Sequence, residues 1–134
     1  MKNLVLTVFF TLFLFVSCNH EDLSDTFKIG FNEEFQHGII NQSDDNTLKF
    51  SITEINNSRC PSDVVCVWEG KADVKIEIES PLKENIILNT YNNPIDTFDT
   101  YSFELIDVSP YPISVQTIKL ENFKVTLKIE ELNN

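Results

Sequence analysis

The residues of this chain with the most specific chemistry are its three cysteines, Cys18, Cys60 and Cys66. The last two are separated by five residues, in Cys-Pro-Ser-Asp-Val-Val-Cys. A zinc site with two cysteines normally has about two to four residues between them and needs further ligands, and the only histidines are His20 and His37. A redox-active pair is typically Cys-x-x-Cys at the start of a helix. The spacing therefore favours neither metal nor redox chemistry, and we expect no cofactor and no metal.

Catalytic motifs of the familiar kinds are missing from the sequence. It has three glycines, and it contains no glycine-rich phosphate loop, no His-Glu-x-x-His and no Gly-x-Ser-x-Gly. The carboxylates that occur in pairs are Glu33 and Glu34, Asp44 and Asp45, and Asp96 with Asp99. Such pairs can support acid–base catalysis or bind calcium, but they lack the spacing of a calcium loop. We predict no catalytic residues and keep a carboxylate-dependent hydrolase as a distant alternative.

Residues 1–17 have the layout of a secretory signal. Lys2 supplies a positive charge, and Leu4 to Val16 is an uncharged, largely apolar stretch. A membrane-spanning helix needs about 20 apolar residues, so we predict a cleaved leader. The leader ends in Phe15-Val16-Ser17-Cys18, which resembles the lipobox of bacterial lipoproteins, with phenylalanine where leucine is usual. The resemblance implies cleavage before Cys18 and lipidation of that cysteine.

Lipidation of Cys18 would determine where the protein is found. Several acyl chains, each contributing about 0.8 kcal/mol per buried CH₂, anchor a protein durably. The stretch Asn19 to Asp25 is polar and acidic and is predicted to be a tether. Acidic residues after the lipidated cysteine also resemble an export signal of some Gram-negative lipoproteins. We therefore expect a lipid-anchored protein of the bacterial cell envelope, on the outer membrane, at its periplasmic face or at the cell surface.

If lipid modifies Cys18, Cys60 and Cys66 remain as an even pair in an oxidising compartment. The sequence then predicts a disulfide between them. In the chain-entropy model, closing a loop of about seven residues contributes roughly 2.4 kcal/mol. The bond would stabilise the turn that leads into the next strand.

The segment around this pair, Ser58-Arg59-Cys60-Pro61 followed by Cys66-Val67-Trp68-Glu69-Gly70, resembles a recurrent signature. Small bacterial secreted and lipoprotein β-domains carry Ser-Arg-Cys-Pro, a short spacer, then Cys-Val-Trp, a variable residue and Gly. The later stretches at 101–106 and 108–112 are also similar to that group. The resemblance marks Arg59, Pro61, Trp68 and Gly70 as a structural motif and implies no activity.

Arg59 and Trp68 each have a structural and a functional interpretation. Arg59, the only arginine, has the geometry to bind a ligand carboxylate or to pair with a nearby carboxylate such as Asp63 and orient the loop. Trp68 is either a core residue packed against the disulfide or a platform for a ligand. We expect the structural role for both.

The chain is strongly acidic, with a net charge of −11 that becomes −12 once Lys2 is removed with the leader. Nucleic acid is excluded as a partner because its binding depends on Lys and Arg. An anionic membrane surface would repel the domain, so we expect the lipid to provide the attachment and the domain to stand off from the bilayer. A basic envelope protein is the partner that the charge favours, and the alternative is that the charge merely keeps the domain soluble.

Alternation of apolar and polar residues is the main structural signal. In Lys71 to Glu79 the even positions are apolar and the odd positions polar, which is typical of a half-buried strand. Extending the even positions backwards would also turn Cys66 and Trp68 inwards, if no bulge intervenes at Gly70. Further strands are predicted at 27–35, 47–55, 85–90, 101–108 and 123–130, with turns at 41–46, 56–58, 80–81 and 92–94 and a long exposed connection from Ser109.

These elements predict an all-β fold, a small antiparallel β-sandwich or barrel-like domain of six to seven strands with one disulfide. The domain limits are 1–17 for the signal peptide, 18–25 for the lipidated cysteine and tether, and 26–134 for a single, monomeric β-domain. For function we predict a lipid-anchored, non-enzymatic binding or structural module. The alternative is an acidic inhibitor or capture module for a basic secreted protein.

Overall fold

The apolar positions of the alternating segments face one common core. In the computed structural model, which describes residues 24–133, the even positions from Ala72 to Ile78 and the odd positions from Val125 to Ile129 are almost fully buried. Leu48, Phe50 and Ile52 are also buried, as their alternation predicts. The strand period of two therefore places these side chains on one face of each strand.

Between residues 24 and 133, nine strands form two sheets. The five-stranded sheet has the order β1-β3-β4-β5-β6, and the four-stranded sheet has the order β2-β9-β8-β7. The strands are β1 (Ser24–Phe27), β2 (Asn32–Gln36), β3 (Ile40–Ser43), β4 (Lys49–Asn57), β5 (Ala72–Ser80), β6 (Glu84–Asn89), β7 (Ile95–Phe98), β8 (Tyr101–Ser109) and β9 (Lys124–Glu131), with a 3₁₀ turn at Leu120–Asn122.

Four phenylalanines join the two sheets at the centre of the core. The Phe50 ring, from the five-stranded sheet, meets those of Phe35 and Phe103, from the other sheet, at centroid distances of 5.1 and 5.9 Å. Phe27 completes the group, 5.4 Å from both Phe35 and Phe50. All four contacts are edge-to-face, the geometry that aromatic rings prefer. Two sheets packed in this way make a β-sandwich.

The all-β fold with a disulfide is confirmed, and the sandwich rather than a barrel is observed. The described part of the chain has nine strands in place of six to seven. One of its strand pairs, β1 with β3, is parallel, and the other described pairs are antiparallel. The single strand predicted at 27–35 is wrong. Gly30 has a positive φ of 92° and turns the chain there, which leaves Phe31 exposed.

The turn predicted at 41–46 is shorter in the structure. β3 continues to Ser43, and its polar side chains Asn41 and Ser43 are buried with hydrogen-bond partners: the Asn41 amide donates to the Ile39 carbonyl, and the Ser43 hydroxyl donates to Asp45. The strands predicted at 47–55, 71–79, 85–90, 101–108 and 123–130 are all present, with ends shifted by one or two residues. Cys18 and the tether up to residue 23 lie outside the described residues.

Four of the connections lie at one end of the sandwich. We call it the loop end, and it consists of the connections 37–39, 58–71, 90–94 and 110–123. Asn57 at the end of β4 pairs with Ala72 at the start of β5, and Ser109 at the end of β8 pairs with Lys124 at the start of β9. The connection 58–71 contains both cysteines, and we call it the disulfide loop.

Candidate functional site

The disulfide loop is closed at its base as an extension of the β4–β5 pair. Ser58 N donates to Lys71 O at 2.8 Å, and Cys60 N donates to Glu69 O at 2.9 Å. The bond between Cys60 and Cys66 is present, with a Cα–Cα distance of 5.9 Å. Pro61 begins a tight turn within the ring, because its carbonyl accepts from Val64 N at 3.3 Å. The loop is therefore held at its base and at its tip.

Arg59 fastens this loop to the opposite sheet. Its guanidinium donates to Val108 O at 2.7 Å and to Asn57 Oδ1 at 2.9 Å, and it lies 4.5 Å from the centre of the Tyr111 ring. The predicted structural role is observed, but the predicted partner Asp63 is not among these contacts. Burial lowers the pKa of the guanidinium, while Tyr111 and Asp107 raise it. Arginine stays charged in proteins, so both acceptors receive charge-assisted hydrogen bonds.

Asp63 instead holds the disulfide loop to the connection 110–123. Its carboxylate accepts from Ser114 N at 2.8 Å and from the Ser114 hydroxyl at 2.5 Å. These hydrogen bonds lower the pKa of Asp63 from its ordinary value, because they stabilise the charged form. Ser62 N also donates to Pro112 O at 3.0 Å. Two neighbouring residues of the loop thus bind the same stretch of the neighbouring connection.

Gly70 is required by a close backbone approach. Its φ is +70°, and a Cβ added at this position would lie 2.0 Å from Ser58 O. Residues with a side chain rarely adopt this conformation, and here there is also no space for one. The motif glycine therefore allows the two arms of the loop to meet at their base.

Trp68 lies on the surface, which contradicts the core position predicted for it. It is 70% exposed, and its neighbours Val65 and Val67 are 102% and 97% exposed. The alternation of β5 does not continue through the loop, because Gly70 has left-handed backbone geometry and the regular strand begins only at Ala72. The apolar tip of the loop consequently points into solvent.

A second aromatic residue, Tyr91, belongs to the same surface region as Trp68 and was missed at the sequence level. Both line a shallow cleft of about 500 Å³, together with Ser58, Glu69, Gly70 and Lys71. The buried Asn89 side chain fixes the turn that carries Tyr91, because its Oδ1 accepts three backbone N–H groups at 2.9 to 3.2 Å. An asparagine that precedes a polar turn ending in Asn-Asn-Pro is the sequence signal that could have indicated this arrangement.

Exposed large apolar residues are concentrated at the loop end. Of the fourteen such residues among those that the structure describes, eight belong to its connections: Val64, Val65, Val67, Trp68, Tyr91, Tyr111, Val115 and Leu120. The charges there are balanced, since Arg59 and Lys71 offset Asp63 and Glu69, and Lys119 offsets Glu121. The net charge of −10 carried by residues 24–133 therefore belongs to the strands and to the opposite end. Concentrated exposure of apolar side chains is typical of interaction surfaces.

The carboxylates considered at the sequence level are distributed over several separate sites. Asp25 and Glu34 line a cleft of about 390 Å³, in which Glu34 is paired with Lys124 at 3.0 Å. Glu33 and Asp44 line another cleft, of about 310 Å³. His37 donates from Nε2 to Thr53 O at 3.1 Å. In the part of the chain that the structure describes, no three His, Cys, Asp or Glu residues form a group suited to a metal ion.

Comparisons of the chain with protein-family models, with curated proteins and with solved structures give no match. A helix with the length and apolarity needed to span a bilayer is not found between residues 24 and 133.

Proposed function

We propose that this protein is a lipid-anchored, non-enzymatic binding module of the bacterial envelope, and that its docking surface is the apolar loop end. The observation that carries the proposal is that Val65, Val67 and Trp68 are exposed on a loop fixed by a disulfide. A flexible loop can fold its apolar side chains back onto the domain. This loop is restrained by Arg59 and Asp63 as well, so its apolar tip stays exposed to water.

Such a surface is suited to binding because the loop is already ordered in the free protein and loses little conformational entropy on association. Association is opposed by the immobilisation of loops and side chains at the interface, and prior rigidity reduces this cost. Tryptophan and tyrosine are also the residues that most often dominate binding energy. Trp68 and Tyr91, which line the same cleft, are the expected centre of the contact.

The docking surface can be tested by photo-cross-linking in living cells. A photoreactive amino acid is placed at Val65, and the same amino acid at Leu82, an exposed apolar residue in the connection between β5 and β6 at the opposite end, serves as the control. We expect an adduct with a protein or a lipid from position 65 and none from position 82. Equal yields from the two positions, or no adduct from either, would contradict the assignment of the loop end.

The lipid anchor is tested separately. Globomycin inhibits the peptidase that cleaves lipoprotein signals, so treated cells should accumulate the precursor that still contains residues 1–17. Mass spectrometry of the mature N-terminal peptide is expected to find acyl chains on Cys18. Normal processing in the presence of globomycin would refute the lipoprotein assignment.

The second candidate function is capture of a basic envelope protein. It is favoured by the charge on the strands, because only five of the nineteen carboxylates in the described part of the chain form ion pairs, leaving most without a cation. A basic ligand bound there would be released by salt. Envelope cross-linking followed by mass spectrometry should then recover one basic protein at low salt and lose it at high salt.

A further inference from the structure

The first described strand, β1, has its starting end directed towards the loop end. Ser24 pairs with Ile40, and Ile40 pairs with Ser51 of β4. β4 then continues from Ser51 to Asn57, where the disulfide loop begins. At about 3.3 Å per residue, this part of β4 extends about 20 Å. β1 runs antiparallel to β4, so its starting end is directed towards the disulfide loop.

The distance from Cys18 to Ser24 is limited by the length of the chain between them. Six residue steps separate the two, and an extended chain spans at most about 3.3 to 3.6 Å per residue, or about 20 Å in all. A lipid on Cys18 therefore cannot lie further along the axis of the sandwich than the base of the disulfide loop. With the loop end facing the membrane, the bilayer surface would therefore reach the disulfide loop.

The loop end is the part of the domain that meets the bilayer at the lowest cost. Its connections have no net charge, whereas the strands carry most of the negative charge. It also has more than half of the exposed large apolar residues, including the only tryptophan. Tryptophan and tyrosine are enriched at the level of lipid headgroups, where an apolar ring and a polar edge are both satisfied.

We propose that the loop end docks into the interfacial layer of the membrane that holds the lipid anchor, with Val65, Val67 and Trp68 among the headgroups. This inference rests on the proposed function, since it requires lipid on Cys18 and names the bilayer as the occupant of the docking surface. It replaces the expectation, drawn from net charge alone, that the domain stands off from the membrane. In this orientation the opposite end of the sandwich faces away from the bilayer.

Trp68 makes the proposal directly measurable, because its fluorescence is the only tryptophan signal of the protein. The mature lipoprotein is reconstituted into phosphatidylcholine vesicles that contain lipid with a quenching spin label, placed either near the headgroup or deep in the acyl chain. We expect most of the Trp68 emission to be lost with the shallow label, little with the deep label, and a blue shift relative to detergent-free domain in buffer. Unchanged emission with the shallow label would overturn the proposal.

A matched pair of variants separates insertion from mere proximity. Val65→Asp with Val67→Asp places charge at the tip of the loop, while Leu82→Asp places it at another exposed apolar position, at the opposite end. We expect the double variant to lose the quenching and Leu82→Asp to keep it, both proteins remaining on the vesicles through their lipid. Quenching retained by the double variant would contradict insertion of the loop tip.

Different experimental results would overturn membrane docking of the loop end and the proposed function as a whole. A protein adduct from position 65, without a lipid adduct and without quenching of Trp68, would overturn membrane docking but keep the loop end as a binding surface. An unmodified Cys18 in a protein that does not sediment with vesicles would overturn both. A lipid adduct from position 65 in cells would support the inference independently of the reconstituted system.

Discussion

Replacement of Arg59 by methionine tests which contact holds the disulfide loop in place. The variant removes two charge-assisted hydrogen bonds, to Val108 O and to Asn57 Oδ1, at about 1.5 kcal/mol each. It also removes the cation–π contact with Tyr111, which is half exposed and contributes about 0.5 kcal/mol. The expected loss is about 3.5 kcal/mol, against roughly 2.4 kcal/mol for replacing both Cys60 and Cys66 by serine. Arg59→Met should therefore be the more damaging change.

The assay is equilibrium unfolding in urea of a soluble form that begins at Asn19. Circular dichroism reports the loss of the sheets, and Trp68 fluorescence reports the surroundings of the loop. Lys119→Met is the control, because its side chain is 75% exposed and its ion pair with Glu121 is long, at 3.7 Å. We expect this variant to stay within about 0.5 kcal/mol of the parent protein.

Two results would refute the reasoning about Arg59. In the first, Arg59→Met is no more destabilising than Lys119→Met, which would mean that the buried guanidinium contacts have no net value. In the second, it is less destabilising than the double serine variant, so that the disulfide is the main restraint. Arg59→Lys provides a check on geometry, since one ammonium group lacks the planar fork that serves both acceptors.

Three further outcomes follow from the structure. Gly30→Ala should lower the free energy of unfolding by about 1 kcal/mol, because the new side chain is in left-handed geometry but meets no other atom. Gly70→Ala should prevent stable folding in the same urea titration, because its added carbon would overlap the backbone of Ser58. Hydrogen bonds from Ser114 lower the pKa of Asp63 from its ordinary value of 3.8. Their contribution to folding stability is therefore present above that value and is lost as the pH falls through the folded-state pKa. An NMR titration should place the midpoint of the Ser114 amide shift below that of a free aspartate. Phe50→Ala should lose about 3 to 5 kcal/mol in thermal or urea unfolding, because it empties the centre of the four-ring cluster.

The long strands were predictable from the sequence because each buries one alternating apolar face. The short strands β3 and β7 were not, since Ile-Asn-Gln-Ser has polar residues at its buried positions and Ile-Asp-Thr-Phe has no buried residue. In β3 the inward side chains Asn41 and Ser43 find partners close in sequence, at Ile39 and Asp45. Such local hydrogen bonds satisfy the buried polar groups. They leave no alternating apolar pattern in the sequence from which the strand could be predicted.

The candidate site was predictable only in part. Cysteine parity and motif spacing predicted the disulfide, which is present, and a structural role for Arg59. Placement of Trp68 failed because alternation applies only while the backbone stays extended, and Gly70 interrupts it. Tyr91 reaches the same cleft from a distant part of the chain, which depends on the pairing of β5 with β6 and has no local signal.

The pairing of β2 with β9 makes completion of this fold depend on the last residues of the chain. Among the described strands, β9 is the only sheet neighbour of β2, and it also pairs with β8, so it lies between two strands of the four-stranded sheet. Gln36 of β2 lies opposite Lys124 of β9, so β2 is synthesised long before the strand with which it pairs. The four-stranded sheet cannot form, and Phe35 cannot be covered by a completed sheet, until β9 is available. A chain shortened by its final strand would expose both β2 and β8, so the domain should fold as one unit and tolerate no C-terminal truncation into β9.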